Sequence, residues 1–208
     1  MSLCRPANSQ PANSQLATGL QANSQLANAS LSCVACCGIL NLKLGKTEMH
    51  SLLQERTSSF QNNFPSAPHD YRIAQEKKER DIVRVDPEIY VCPFLGFSDN
   101  KAGCMLHPEK TGVKDSQNFS FYGAAICQNY ECKNFNKEQE LSALFLAVAS
   151  DWIEFSMMAA DYKFWEKIEA QFSIHTVADL QRNYKKIEKE YRERFSGNIL
   201  PLTSFELY

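Results

Sequence analysis

The chain has 208 residues, 44% of them hydrophobic, and a formal net charge of −2. That is enough chain for a compact core, and the balanced charge carries no basic signature for nucleic acid. No stretch approaches the roughly 20 apolar residues that span a bilayer, and a cationic start followed by an apolar export core is missing.

Residues 6–30 fall into a five-residue register: PANSQ, PANSQ, LATGL, QANSQ, LANAS. Five is neither the helical nor the strand period, so no continuous apolar face forms. Such a tract cannot bury enough to offset its ordering entropy, and residues 1–31 are expected to be a disordered, low-complexity tail. Cys4 lies in that tail and is set aside.

From Ser32 the composition changes abruptly. Thr47 is placed to cap a short helix over Glu48–Phe60, with Met49, Leu52, Leu53 and Phe60 on one face. Phe64–Pro68 reads as a loop, followed by a charged helical stretch near Arg72–Arg80. Ile82–Val85 and Ile89–Val91 look extended, with Asp86-Pro87 as the turn between them. Residues 92–135 are rich in Gly, Pro, Asn and aromatics with little sustained period. A long irregular stretch of this kind needs something besides secondary structure to order it.

The C-terminal third reads as helical. Asn136 with Gln139 resembles a cap for an apolar helix from about Leu141 to Met158, with a break near Ala160 before Tyr162–Phe172. Thr176-x-x-Asp179 is a capping-box start for the last helix. There Leu180, Tyr184, Ile187, Tyr191 and Phe195 form a stripe, and Gly197 is a sensible stop. Trp152, Trp165 and the stripe read as core rather than as a ligand box.

Seven of the eight cysteines lie outside the tail, as Cys33-x2-Cys36-Cys37, Cys92, Cys104 and Cys127-x4-Cys132. Thiolates are soft donors that suit zinc, iron–sulfur clusters and copper(I). Short cysteine pairs suit zinc, because a tight turn lets two thiolates reach one ion. Cys33, Cys36, Cys127 and Cys132 make one possible four-thiolate site. Cys37, Cys92, Cys104 and His107 make a second, since Cys104-x2-His107 again has ligand spacing. Other partitions are equally legal, and spacing alone does not separate zinc from an iron–sulfur cluster. With no export signal, disulfides are the weaker reading. His50, His69 and His175 have no cysteine partner in sequence and read as surface residues.

At Cys33-Val34-Ala35-Cys36-Cys37-Gly38, with the later cysteines and the closing Cys127-x4-Cys132, the chain resembles the YkgJ-type cysteine-cluster proteins, described as a zinc- or iron-chelating domain with a CxxCxxCC signature. The resemblance covers about residues 30–135. Cys33, Cys36 and Cys37 match the last three cysteines of the signature, and its first falls on Ser30. The resemblance implies a chelating, bacterial cytoplasmic domain and no substrate. That family is similar to a cysteine-rich region in flagellin lysine methylases. The CxxxCxxC triad of radical S-adenosylmethionine enzymes is absent here, however, as are GxSxG and HExxH. The heterodisulfide-reductase type of domain closes on a CxxC pair and fits less well.

The expected protein is therefore mainly α, a single cysteine-cluster domain over residues 32–208 with few or no short strands. It is expected to be intracellular, to bind a metal ion, and to act at neither nucleic acid nor membrane. Its expected ligands are Cys33, Cys36, Cys37, Cys92, Cys104, Cys127, Cys132 and His107, holding zinc or an iron–sulfur cluster. One alternative is an iron–sulfur redox or group-transfer enzyme, with Asp115, Asn118 and Tyr122 lining a pocket. Another is a scaffold that works through the striped terminal helix.

Overall fold

The computed structural model describes residues 33–63, 68–98, 101–129, 141, 144–145 and 148–195. The repeat tract, Cys132 and Gly197 lie outside them. The architecture is mainly helical with one two-stranded sheet among the described residues. No helix among them is long and apolar enough to cross a membrane. Where the sequence suggests one domain, contacts divide the chain into two compact units: described residues 34–129, and the C-terminal helices with which Cys33 groups.

The cysteine-bearing unit begins with two 3-10 turns, Ala35–Cys37 and Ile39–Asn41. Helix α1 (Lys46–Asn63) follows. The Glu48 carboxylate accepts the Gly45 N–H at 2.6 Å, satisfying one of the donors that a helix start leaves orphaned. Met49, Leu52, Leu53 and Phe60 are buried on one face as their spacing predicts. Arg56 lies on that same face and is also fully buried.

Helix α2 (Pro68–Glu79) starts earlier than its charge pattern suggests, with proline in its first turn, where a missing N–H costs nothing. Tyr71, Gln75 and Glu79, four residues apart, form its buried row.

The two strands expected at 82–85 and 89–91 do not form. In this segment Leu42 and Arg84 make only an isolated bridge. The physical reason is Asn41, itself buried. Its side-chain amide donates to the carbonyls of Asp86 (2.8 Å) and Ile89 (3.1 Å), and its oxygen accepts the Asp86 N–H (2.9 Å). One side chain thus takes the role a neighbouring strand would have played.

The real strands lie inside the segment expected to be irregular. β1 (Leu95–Ser98) and β2 (Lys101–Cys104) pair antiparallel, with Leu95 opposite Cys104. α1 packs on this hairpin so closely that a Cβ on Gly96 would meet Met105 Sδ at 2.5 Å and Thr57 Oγ1 at 2.7 Å. Short elements complete the unit: α3 (Pro108–Thr111), a 3-10 turn at Ser116–Phe119, and α4 (Gly123–Asn129).

In the C-terminal unit the apolar run read as one helix from 141 to 158 is interrupted at 149–151. Asp151 caps a new helix, α5 (Trp152–Ala160), by accepting the Glu154 N–H at 2.8 Å, while Glu154 accepts the Ser150 N–H at 2.7 Å. α6 (Tyr162–Phe172) is capped by Asp161, and Thr176 and Asp179 cap α7 (Val177–Phe195) reciprocally, as the sequence suggests. Leu180, Ile187, Tyr191 and Phe195 are buried, and both tryptophans are core. Tyr191 meets Phe145, Phe164 and Phe195 at ring-centre distances of 5.4, 5.1 and 5.9 Å. Four of the five stripe residues are thus spent inside their own unit, with Tyr184 half-buried, which weakens the support for an interaction scaffold.

Candidate metal centre

Five of the expected ligands come from four separate places in the cysteine-bearing unit. Cys36 and Cys37 sit in the first 3-10 turn. Cys92 lies on the segment leading into β1, Cys104 ends β2, and Cys127 is on α4. The turn that carries Cys36 and Cys37 closes on Gly38, with φ of 76°. A Cβ there would overlap the Tyr90 carbonyl oxygen, so both the left-handed conformation and the close approach demand glycine. The approach is completed by the Cys92 N–H, which donates to the Cys37 carbonyl at 2.9 Å. Cys37, Cys92 and Cys104 then pack with Phe60, Tyr71, Tyr90, Phe94, Met105 and Leu106.

The five thiols are close enough to feel one another's charge. Cys37 hydrogen-bonds Cys36, which lowers the Cys36 pKa and raises that of Cys37. Burial pushes Cys92 up, and the charges of Cys104 and Cys127 add to that rise. Cys104 is raised to about 11, again mainly by burial and then by Cys127. Cys127 is raised by burial and by Cys36. The two sites drawn from spacing thus run together: Cys36 couples to Cys127, Cys37 to Cys92 and Cys104, and the halves meet through Cys36–Cys37 and Cys92–Cys127.

A group of anions that repel one another in a poorly solvated place ionises together only beside a cation. Among the described residues, however, no three or more His, Cys, Asp or Glu side chains are arranged to hold a metal ion. No disulfide joins Cys33, Cys36, Cys37, Cys92, Cys104 or Cys127.

The other expected residues fare differently. Cys33 is buried and groups with the other unit. His107 caps α3: its Nδ1 accepts the Glu109 N–H at 3.4 Å, so a metal bond would have to use Nε2. His50, His69 and His175 are exposed, as expected. The pocket imagined around Asp115, Asn118 and Tyr122 has structural explanations. Asn118 Oδ1 accepts the Ala124 N–H at 2.8 Å and the Tyr122 hydroxyl donates to Tyr90 O at 3.2 Å, while Asp115 is exposed. A shallow groove on α1, floored by Leu44, Leu52 and Ile82, contains no cysteine.

Two residues beside the thiols escaped the sequence reading. Arg56, 0% exposed, pairs with the Glu79 carboxylate through Nε (2.7 Å) and Nη2, and gives Nη1 to the Cys92 carbonyl at 3.1 Å. Burial works against its charge, but Glu79 more than offsets that. Gln75 supports Glu79 at 2.7 Å, and the Tyr71 hydroxyl sits between the carbonyls of Pro93 (3.0 Å) and Arg56 (3.3 Å). This buried network holds the backbone on both sides of the Cys92–Pro93 bond. Gln117 is the second, with Nε2 at 4.0 Å from Cys104 Sγ.

Comparison of the chain with protein-family models, curated proteins and solved structures gives no match. Its chemistry must be argued from its own residues.

Proposed function

We propose that this protein is a thiolate-based metal-binding module that takes zinc or iron. Cys36, Cys37, Cys92, Cys104 and Cys127 are the core of its donor set, with His107 as an outer candidate. One observation carries the reading. Cysteines from four chain segments of one unit act on one another through their charges, and burial with mutual repulsion opposes ionisation of Cys37, Cys92, Cys104 and Cys127 unless a cation is present. Packing alone gives no reason to gather so many. The resemblance to the YkgJ-type cysteine cluster, a zinc- or iron-chelating domain, points the same way.

The test is elemental analysis with a visible spectrum on protein purified without oxygen. Zinc with no colour supports a structural or sensory module. Iron with acid-labile sulfide and a broad band near roughly 400 nm supports a cluster. Absence of metal in both the native protein and protein offered zinc or iron sinks the reading. Serine at Cys92 or Cys127 should lower metal content and melting temperature together, because ligation energy is also folding energy. Wild-type values for both would remove those residues from the donor set.

A second reading, a redox or group-transfer enzyme built on an iron–sulfur centre, draws on one feature. Cys36 is exposed, and the hydrogen bond from Cys37 favours its thiolate, which is the form that attacks electrophiles. Reduction of the purified protein by a physiological donor, followed by its spectrum, separates the two. A redox-silent protein leaves the module.

A further inference from the structure

The cysteine-bearing unit carries an apolar surface that the metal reading does not use. Among the described residues six large hydrophobic side chains are exposed, and four of them, Val113, Phe119, Phe121 and Ile126, fall within one stretch of chain. Two hydrogen bonds fold that stretch on itself. Gln128 Nε2 donates to the Lys114 carbonyl at 3.0 Å, and Asn118 Oδ1 accepts the Ala124 N–H at 2.8 Å. Phe121 is the most exposed, at 68%, yet its ring has fixed supports. It lies 4.9 Å from the Tyr90 ring and 6.1 Å from the Tyr122 ring, centre to centre. The Tyr122 hydroxyl donates to Tyr90 O at 3.2 Å, and the Tyr90 hydroxyl to the Glu76 carboxylate at 2.7 Å. An aromatic ring held in place before contact loses little entropy on docking, and clustered apolar groups facing solvent mark an interface.

We propose that this surface joins two copies of the chain, with Phe121 as the anchor on each side. The charges around it decide the occupant. Lys110 and Lys114 stand beside Glu109 and Asp115, all exposed, and on the Tyr90 side Arg72 lies 4.0 Å from Glu76. A nucleic acid or an anionic lipid surface calls for a basic rim, and a basic segment for an acidic one. This rim balances, and a second copy is the partner that a balanced rim fits. A two-fold axis sets residue i against residue j and j against i, so each lysine–carboxylate match is made twice. None of the exposed large hydrophobics among the described residues belongs to the C-terminal unit, which therefore offers no rival surface. The proposal is independent of the metal-binding reading.

The experiment is sedimentation equilibrium on the full chain in reductant, so that no disulfide through the exposed Cys36 joins two copies. At about 100 μM, above the micromolar end of the range for protein interfaces, the wild type should sediment at twice the chain mass. Phe121→Glu should weaken the dimer at least about thirtyfold, the scale of an interface hot spot, with an unchanged circular-dichroism spectrum. Val113→Ser combined with Ile126→Ser leaves the Phe121 ring and its supports in place, and should weaken the dimer about fivefold or more. Val83→Glu, at an exposed apolar position outside this stretch, should leave it intact. A wild type that is monomeric throughout overturns the proposal; if that monomer also floats with anionic lipid vesicles, the surface belongs to a membrane instead. A dimer that survives both Phe121→Glu and the Val113 and Ile126 changes overturns it too, since another face then holds the copies together.

Discussion

The two units of this chain solve the problem of building a core in opposite ways. The C-terminal unit uses capped helices and a knot of aromatic rings around Tyr191, and nearly everything buried there is apolar. The cysteine-bearing unit buries Asn41, Arg56, Gln75, Glu79, Ser116 and Gln117 along with Cys92. Apolar packing improves with every methylene and requires nothing from outside. A buried polar network is stabilising only when each member is satisfied, so its stability depends on single partners. The lesson is that one unit is organised to be a core and the other to hold backbone in place through a buried polar network.

The sharpest way to break this comparison is at Arg56. Arg56→Met leaves the Glu79 carboxylate buried without its partner and releases the Cys92 carbonyl. A loss of about 3–5 kcal/mol is expected, read by chemical denaturation. Arg56→Met together with Glu79→Leu should recover much of it. A loss under about 1 kcal/mol for the single variant would show that the network is not what holds the unit.

Gly38→Ala should act next, costing about 1–3 kcal/mol through the left-handed backbone, and more if the Tyr90 carbonyl cannot move. It should also reduce bound metal, since the Cys36–Cys37 turn would be displaced from Cys92. Loss of stability with metal content intact would separate the turn from the centre.

The smallest effect belongs to the apolar unit. Asp161 is buried, and its carboxylate accepts from the Phe164 N–H at 3.2 Å and from Arg194 at 2.5 Å. Burial raises its pKa, with Arg194 opposing that rise. A carboxyl whose folded pKa is raised contributes stability in acid, and that contribution is lost as pH climbs through the folded pKa. Asp161→Asn keeps an oxygen for the cap and should change stability by less than about 1 kcal/mol at neutral pH. The wild-type advantage should be larger at about pH 3 than at about pH 7, read as melting temperature against pH. The reverse trend would mean that Arg194 outweighs burial.

Periodicity made the helical parts legible. The inner face of α1, the capping box of α7 and its buried stripe all followed from spacing. The break at 149–151 did not, because Asp151 interrupts an otherwise apolar run and only its capping bond reveals a new start. The hairpin was hidden because Leu95–Ser98 and Lys101–Cys104 are short and glycine-bearing, with no alternation long enough to count. The expected strands at 82–91 failed because Asn41, distant in sequence, had already satisfied that backbone. At the candidate site, cysteine spacing picked out thiols whose charges act on one another, though among the described residues no three or more metal-ligating side chains are arranged to hold an ion. It could not show which thiols face which, nor that a glutamine and an arginine stand beside them. An arginine on an apolar helical face, three residues after Leu53 and four before Phe60, was the available signal.

The β1–β2 hairpin also sets an order of assembly. Leu95 opposite Cys104 closes a short loop that brings Cys104 back toward Cys92, and short loops close fast and at small entropic cost. Cys36 and Cys37 must instead return across two helices to reach the Cys92 N–H. On loop-closure grounds, the segment from Cys92 to Cys104 is expected to close early and the Cys36–Cys37 turn last. The backbone that carries these cysteines is complete only when the Cys36–Cys37 turn closes on the Cys92 N–H.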